Sequence, residues 1–362
     1  MEIKFAKSVV QKALKVTIPI ISERSPLPIL QTVLIEAKGG ELTISASDLE
    51  TVIITREPVD VIKEGVTAIK AKEFFQLLRE LPDEDVTLSV EDNTAKLTFS
   101  QGEYRIRTYD PEEYPEMPRF EPKNVFSLPT SILHDSIGRI AFAAAKKEGD
   151  PILRGILLDF STQGLNMVAV DGYRLAMIHK KDIKPEIPGA VLVAAKTWEY
   201  VENIEDSCEI KVGENNIEFV GEKVRIITRL MDATSYPDYK SVIPRENEYV
   251  LNIQTDYLIK ALRRVNIFTD VVAHVVKFRL QPDKLVITSM GEVGEAHEEL
   301  IARYEGEPMD IGFNAQLLME ILNHIDTDNT IMKFKSPQTG VLILPEGKEE
   351  EILYLLMPTR LV

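Results

Sequence analysis

Apolar residues recur along this chain at two spacings that alternate in a fixed order. Within residues 8–17 they fall at Val9, Val10, Ala13, Leu14 and Val16, with Lys12 and Lys15 on the opposite side. That is the 3.6-residue rhythm of a half-buried helix. Residues 30–37 and 42–45 then read as strands around the turn Lys38-Gly39-Gly40, and 51–55 and 59–62 continue the β pattern on either side of Pro58. The spacing predicts a second helix over 71–81, stopped by Pro82, then a β-meander over 86–90, 94–100 and 104–108. Tyr114-Pro115 leaves the unit as an extended exit.

The succession restarts twice. Residues 129–143 read as a helix, and 154–159 and 165–170 as strands around Gln163-Gly164. Ala195-Lys196 opens a second helix as Ala71-Lys72 does, a meander covers 209–212, 216–220 and 224–228, and Tyr236-Pro237 repeats the exit. The third copy has a helix over 255–265, strands over 275–280 and 285–289, a helix from Asn314, and strands over 330–334, 340–344 and 352–356. Its exit is Met357-Pro358. Equivalent points lie about 120 residues apart, far beyond a solenoid period, so the repeating unit is a whole domain. The expected class is α+β: three tandem helix–β–β–β–helix–β–β–β domains, over 1–122, 123–247 and 248–362. The clearest hairpin signal is Val168-Ala169-Val170-Asp171-Gly172-Tyr173-Arg174-Leu175-Ala176-Met177, where Asp-Gly separates two apolar runs.

Composition narrows the chemistry. The 362 residues are 44% hydrophobic, enough for a core in each domain, and carry a net charge of −16. That balance argues against a uniformly basic polyanion binder but says nothing about how charge is distributed. A single cysteine, Cys208, excludes a disulfide framework within the chain and fits a reducing cytoplasm, the expected location. No signal-peptide pattern opens the sequence and no apolar run approaches membrane length. The five histidines are scattered without HExxH, and no phosphate loop, GxGxxG or GxSxG occurs. Asp171 reads as a turn residue. No catalytic residue, cofactor or metal site is therefore expected, and the chain reads as a non-enzyme. The residues alone leave a peptide-binding scaffold open.

Five local motifs add to the repeat: Ser25-Pro26-Leu27-Pro28-Ile29-Leu30, Ser45-Ala46-Ser47-Asp48-Leu49, Val170-Asp171-Gly172-Tyr173-Arg174-Leu175, Tyr236-Pro237-Asp238-Tyr239 and Met357-Pro358-Thr359-Arg360-Leu361. In this order and over this length the chain resembles the bacterial sliding-clamp family, the β subunits of the replicative DNA polymerase. The resemblance implies a head-to-tail homodimer, a closed six-domain ring with helices lining the hole. Such a ring encircles double-stranded DNA without sequence specificity and acts as a processivity factor. It tethers the polymerase catalytic subunit, the clamp loader, and other polymerases and repair proteins through short peptides. No membrane partner is implied.

Helices around DNA need basic inward faces. Lys12, Lys15, Lys72, Arg79, Arg139, Lys196, Lys260, Arg263 and Arg264 all fall on predicted helices, while carboxylates crowd elsewhere, as in Asp83-Glu84-Asp85. A solvated amphipathic face explains any one of them, and less readily the set. The resemblance adds Arg24 to the DNA-contacting residues. It also implies an intersubunit seam of Tyr104, Arg105, Ile106 and Arg107 in the first domain against Ile267, Phe268, Glu295 and Glu298 in the third, and a peptide pocket. The pocket lining carried over is Leu153, Val170, Gly172, Tyr173, Arg174, Leu175, Pro237, Val242, Leu355, Met357, Pro358 and Arg360, with Arg174 free to orient a peptide carbonyl or acid. Tyr173 stands where a histidine is common in the family.

Overall fold

The computed structural model describes residues 1–119, 121–146, 150–184 and 188–361. Seven α-helices occur among them: α1 (Lys7–Thr17), α2 (Ala71–Glu80), α3 (Thr130–Ile140), α4 (Ala195–Val201), α5 (Tyr239–Val242), α6 (Thr255–Val265) and α7 (Ala315–Leu322). α1 buries Val10, Ala13 and Leu14 and leaves Lys12 and Lys15 exposed. α6 buries Leu258, Ile259, Ala261, Leu262 and Val265, and exposes Tyr257, Lys260, Arg263 and Arg264. In each case the apolar stripe written in the sequence is the face that packs.

Each repeat holds at least two strands more than the expected order, and the first and third hold three more. Glu2–Ala6, Asn124–Pro129 and Tyr249–Gln254 precede the first helix, and Gly65–Lys70, Gly189–Ala194 and Met309–Asn314 precede the second. All six run into their helix without an intervening residue, and only at Pro129 does a proline stand at the junction.

Contacts divide the chain into two compact units, Met1–His134 with Lys196–Leu230, and Asp135–Ala195 with Met231–Val362. Among the described residues the first holds a 13-stranded sheet, and the second a nine-stranded and a four-stranded sheet. Two pairings explain why three repeats make two units. Val224–Arg229, the last strand of the second repeat, pairs antiparallel with Thr51–Pro58, with Ile226 opposite Ile53. Ile352–Leu356, the last strand of the third repeat, pairs antiparallel with Arg174–Lys180, with Leu355 opposite Leu175. In both, the closing strand of one repeat extends the sheet of the repeat before it. Each unit has its own aromatic centre: Trp198 edge-on to Phe219 at 5.1 Å in the first, and Phe278 edge-on to Phe313 at 5.2 Å in the second.

Several strands are left with an open side, Gly102–Tyr109 and Gly294–Ile301 among them. Gly102–Tyr109 pairs with Thr94–Phe99 on one side, but on the other only Thr108 and Tyr109 are bonded, to Ile69 and Ala68. Gly294–Ile301 is the edge of the four-stranded sheet. Among the described residues no helix is long and apolar enough to cross a membrane, and no group of three or more His, Cys, Asp or Glu is arranged to hold a metal ion.

Candidate functional site

The hairpin that stood out in the sequence forms one wall of a groove in the second unit. Val170 pairs with Leu175, and the turn between them is closed by Asp171, whose Oδ1 accepts from the backbone N–H groups of Tyr173 at 2.9 Å and Arg174 at 3.0 Å. Gly172 sits at φ +91°, which favours glycine, and no atom lies within 4 Å of where a Cβ would be. The groove, about 220 Å³, is lined by Leu153, Val170, Gly172, Tyr173, Arg174, Leu175, Pro237, Val242, Leu355 and Met357. Its surface is almost wholly apolar, and Val242 and Met357 stay partly open to solvent.

Sequence reasoning missed one lining residue, Tyr239. Its ring faces the groove while its hydroxyl donates to Asp159 Oδ2 at 2.5 Å and accepts from Asn166 Nδ2 at 3.0 Å. The Tyr-Pro-Asp-Tyr motif was the available signal. Nothing local says that its last tyrosine turns back onto strands Gly155–Ser161 and Gly164–Val170.

Arg174 lines the groove and is also engaged within the fold. Its side chain is 4% exposed and its donors are committed inward. Nε donates to Asp171 Oδ2 at 2.9 Å, Nη1 to Glu320 Oε2 at 2.8 Å and Nη2 to the Phe142 carbonyl at 3.0 Å. The guanidinium also lies 4.9 Å from the centre of the Phe142 ring, which stacks on His324 at 4.2 Å. Arg174 therefore fixes the hairpin to α7, with three of its five N–H donors engaged in these bonds. Replacing Arg174 with alanine strands two carboxylates and should cost about 3 kcal/mol of unfolding free energy, measurable by chemical denaturation. Arg174→Lys should recover only part of it, because an ammonium lacks the planar fork. Pro358 and Arg360 lie elsewhere: with Gly312, Gln338 and Leu361 they line an adjoining cleft of about 510 Å³. The chain crosses an edge strand at this point, which divides the tail between the two hollows.

The basic residues divide into free and engaged heads. Lys12 pairs with Glu205 at 3.1 Å, Lys72 with Glu23 at 2.6 Å, Arg79 with Glu80 at 3.0 Å and Lys260 with Asp256 at 3.7 Å. Arg264 makes a two-pronged contact with Glu298, at 2.7 and 2.6 Å. Lys196 lies 5.6 Å from the centre of the Tyr200 ring. Lys15, Arg24 and Arg263 are exposed and have no carboxylate within ion-pair distance among the described residues.

Arg139 is the most tightly held. Its Nε donates to both oxygens of Asp135 at 2.9 Å and its Nη2 to Asp326 at 2.9 Å, and Lys348 meets the same Asp326 at 2.9 Å. The hydrogen bond from Arg139, then that from Lys348, holds the Asp326 carboxyl down to about 2. An unfolded aspartate titrates near 3.9. The folded value is the lower one, so this stabilisation is complete above about pH 4 and disappears as the pH falls through about 2. The melting temperatures of wild type and Asp326→Asn should therefore converge between pH 4 and pH 2, as thermal scans across that range would show.

The residues expected at a seam lie on Gly102–Tyr109 and Gly294–Ile301 or beside them. Tyr104, Arg105 and Arg107 are exposed and Ile106 half-buried on Gly102–Tyr109. Glu295 and Glu298 lie on Gly294–Ile301, and Ile267 is 65% exposed in the turn after α6, next to the half-buried Phe268.

Three models of one family match the chain in succession. They are the DNA polymerase III beta subunit N-terminal domain over residues 1–118, the central domain over 127–238 and the C-terminal domain over 240–360. A "Beta sliding clamp" from Caulobacter vibrioides is 27% identical over 99% of this chain and 100% of its own length. The solved DNA polymerase III beta subunit of Thermotoga maritima, also 27% identical, superposes with a TM-score of 0.91 and full coverage of both chains. A beta sliding clamp from C. crescentus at the same identity and coverage reaches 0.94. The same fold, the same three domains in the same order and full-length similarity coincide, and the chain belongs to the DNA polymerase III beta subunit family, the bacterial sliding clamps.

Proposed function

We propose that two copies of this chain close head to tail into a ring that encircles duplex DNA and holds the replicative polymerase to its template as a non-catalytic processivity factor in the cytoplasm. The observation that carries the ring is the rule of strand addition. The closing strand of the second repeat pairs with the third long strand of the first, and the closing strand of the third repeat with the equivalent strand of the second. One closing strand, Gly102–Tyr109, and one acceptor, Gly294–Ile301, remain without such a partner. In this reading the first completes the second on another copy, a heterologous contact, and two subunits close the ring. Charge supports the pairing, with Arg105 and Arg107 on one strand and Glu295, Glu298 and Glu299 on the other.

In this reading the three domains are 1–122, 123–247 and 248–362. The free cations Lys15, Arg24 and Arg263 meet phosphates, and the groove beside the Asp171 turn receives short apolar peptides from the polymerase, the clamp loader and repair proteins. Small-angle scattering tests the ring. A particle of twice the 40.9 kDa chain mass with a hollow interior is expected, and Arg105→Glu with Arg107→Glu should halve the mass. A wild-type monomer at micromolar concentration overturns the closed ring.

A further inference from the structure

The groove's outer wall is not held by the core. Leu355 lies in a strand that ends at Leu356, and Met357 and the residues after it form a tail with two backbone hydrogen bonds to the rest of the second unit among the described residues. Met357 N–H donates to the Tyr173 carbonyl at 2.9 Å, in the hairpin turn. Thr359 N–H donates to the Gly312 carbonyl at 2.8 Å, as an antiparallel bridge to strand Met309–Asn314. That strand is an edge, bonded otherwise only to Val275–Gln281. The tail thus adds to it as one more short strand.

Space at the bridge is the informative detail. A Cβ on Gly312 would lie 2.4 Å from the Thr359 carbonyl oxygen and 2.9 Å from Leu361 Cδ2. The first neighbour is backbone and cannot turn aside. Gly312 has no left-handed φ, so its backbone could accept alanine. The glycine is there for the tail alone.

We propose that Gly312 is a positioning residue for peptide binding: it admits the tail to the sheet edge, and the bridge holds Met357 as a preformed wall of a groove that Gly312 never touches. This rests on the reading of the groove as the peptide site. Without the bridge the tail hangs from Met357 alone, and a ligand must order it on binding, which weakens affinity.

The test uses the full-length protein and a fluorescein-labelled pentapeptide carrying leucine and phenylalanine, read by anisotropy beside amide hydrogen exchange. Gly312→Ala should bind about tenfold more weakly, with exchange at Thr359 and Met357 accelerated and exchange of the core strands unchanged. Thr359→Pro removes the donated N–H while keeping glycine and Arg360; it should reproduce the weaker binding and the faster exchange at Met357, which guards against misfolding of the first variant. Faster tail exchange with unchanged affinity in both variants overturns the positioning role, and unchanged tail exchange in both overturns the bridge. Val242→Glu separates the two readings. If it leaves wild-type affinity intact, the peptide site lies elsewhere and the positioning role falls with it, while the exchange data still decide whether Gly312 holds the tail.

Discussion

Replacing Lys15, Arg24 and Arg263 together with glutamate is expected to weaken binding to a short duplex by on the order of 100-fold at low salt. These three cations stand exposed without a carboxylate partner among the described residues, so their charge is available to phosphate at no cost in broken ion pairs. The glutamine version makes the test quantitative. Each residue that meets a phosphate should lower the slope of log K against log salt by about 0.9. The matched set Lys12, Lys72 and Arg264, each already paired with a glutamate, should change the slope less. Anisotropy titrations over about 50 to 200 mM salt decide. Equal slopes for wild type and the free-cation variant would remove these residues from the DNA interface. Direct binding measures the phosphate contribution alone, because a ring tethers DNA topologically whatever its affinity.

Val242→Glu is expected to abolish stimulation of a partner polymerase on a long primed template, with peptide affinity reduced about 100-fold or more. Val242 lines the groove and is 46% exposed. A carboxylate there costs the fold little, yet any apolar peptide that covers it must bury a charge without a partner. A less exposed position such as Leu355, at 1%, would confuse loss of binding with loss of structure. The control is an unchanged melting temperature and an unchanged particle mass in solution. Full stimulation by a correctly folded Val242→Glu would rule the groove out as the polymerase's attachment point.

The readable and unreadable parts of the site differ in kind. The Asp171-Gly172 turn was legible because its requirements are local: a carboxylate that accepts two backbone N–H groups and a residue at home at positive φ. The helices were legible because an amphipathic stripe is a local periodicity, and α4 and α6 run over the residues the pattern indicated. Charges on those helices were legible as charges but not as free charges. Glu23, Glu205 and Glu298 reach Lys72, Lys12 and Arg264 from 49, 193 and 34 positions away. The anchoring of Arg174 was illegible for the same reason, since Glu320, which accepts from its Nη1, lies 146 positions away.

The sequence by itself determined the hairpin and the helix faces, because each is set by spacing within a dozen residues, and the repeat and the class of each domain, because such local patterns recur in the same order. Tertiary structure alone decided that the closing strands extend the preceding sheets and leave Gly102–Tyr109 and Gly294–Ile301 open. It also decided which cations remain free, that Tyr239 completes the groove, and that the tail rests against Gly312. Those outcomes turn on which backbone edges and opposite charges meet across long sequence separations, and the order of the residues carries no distance between them.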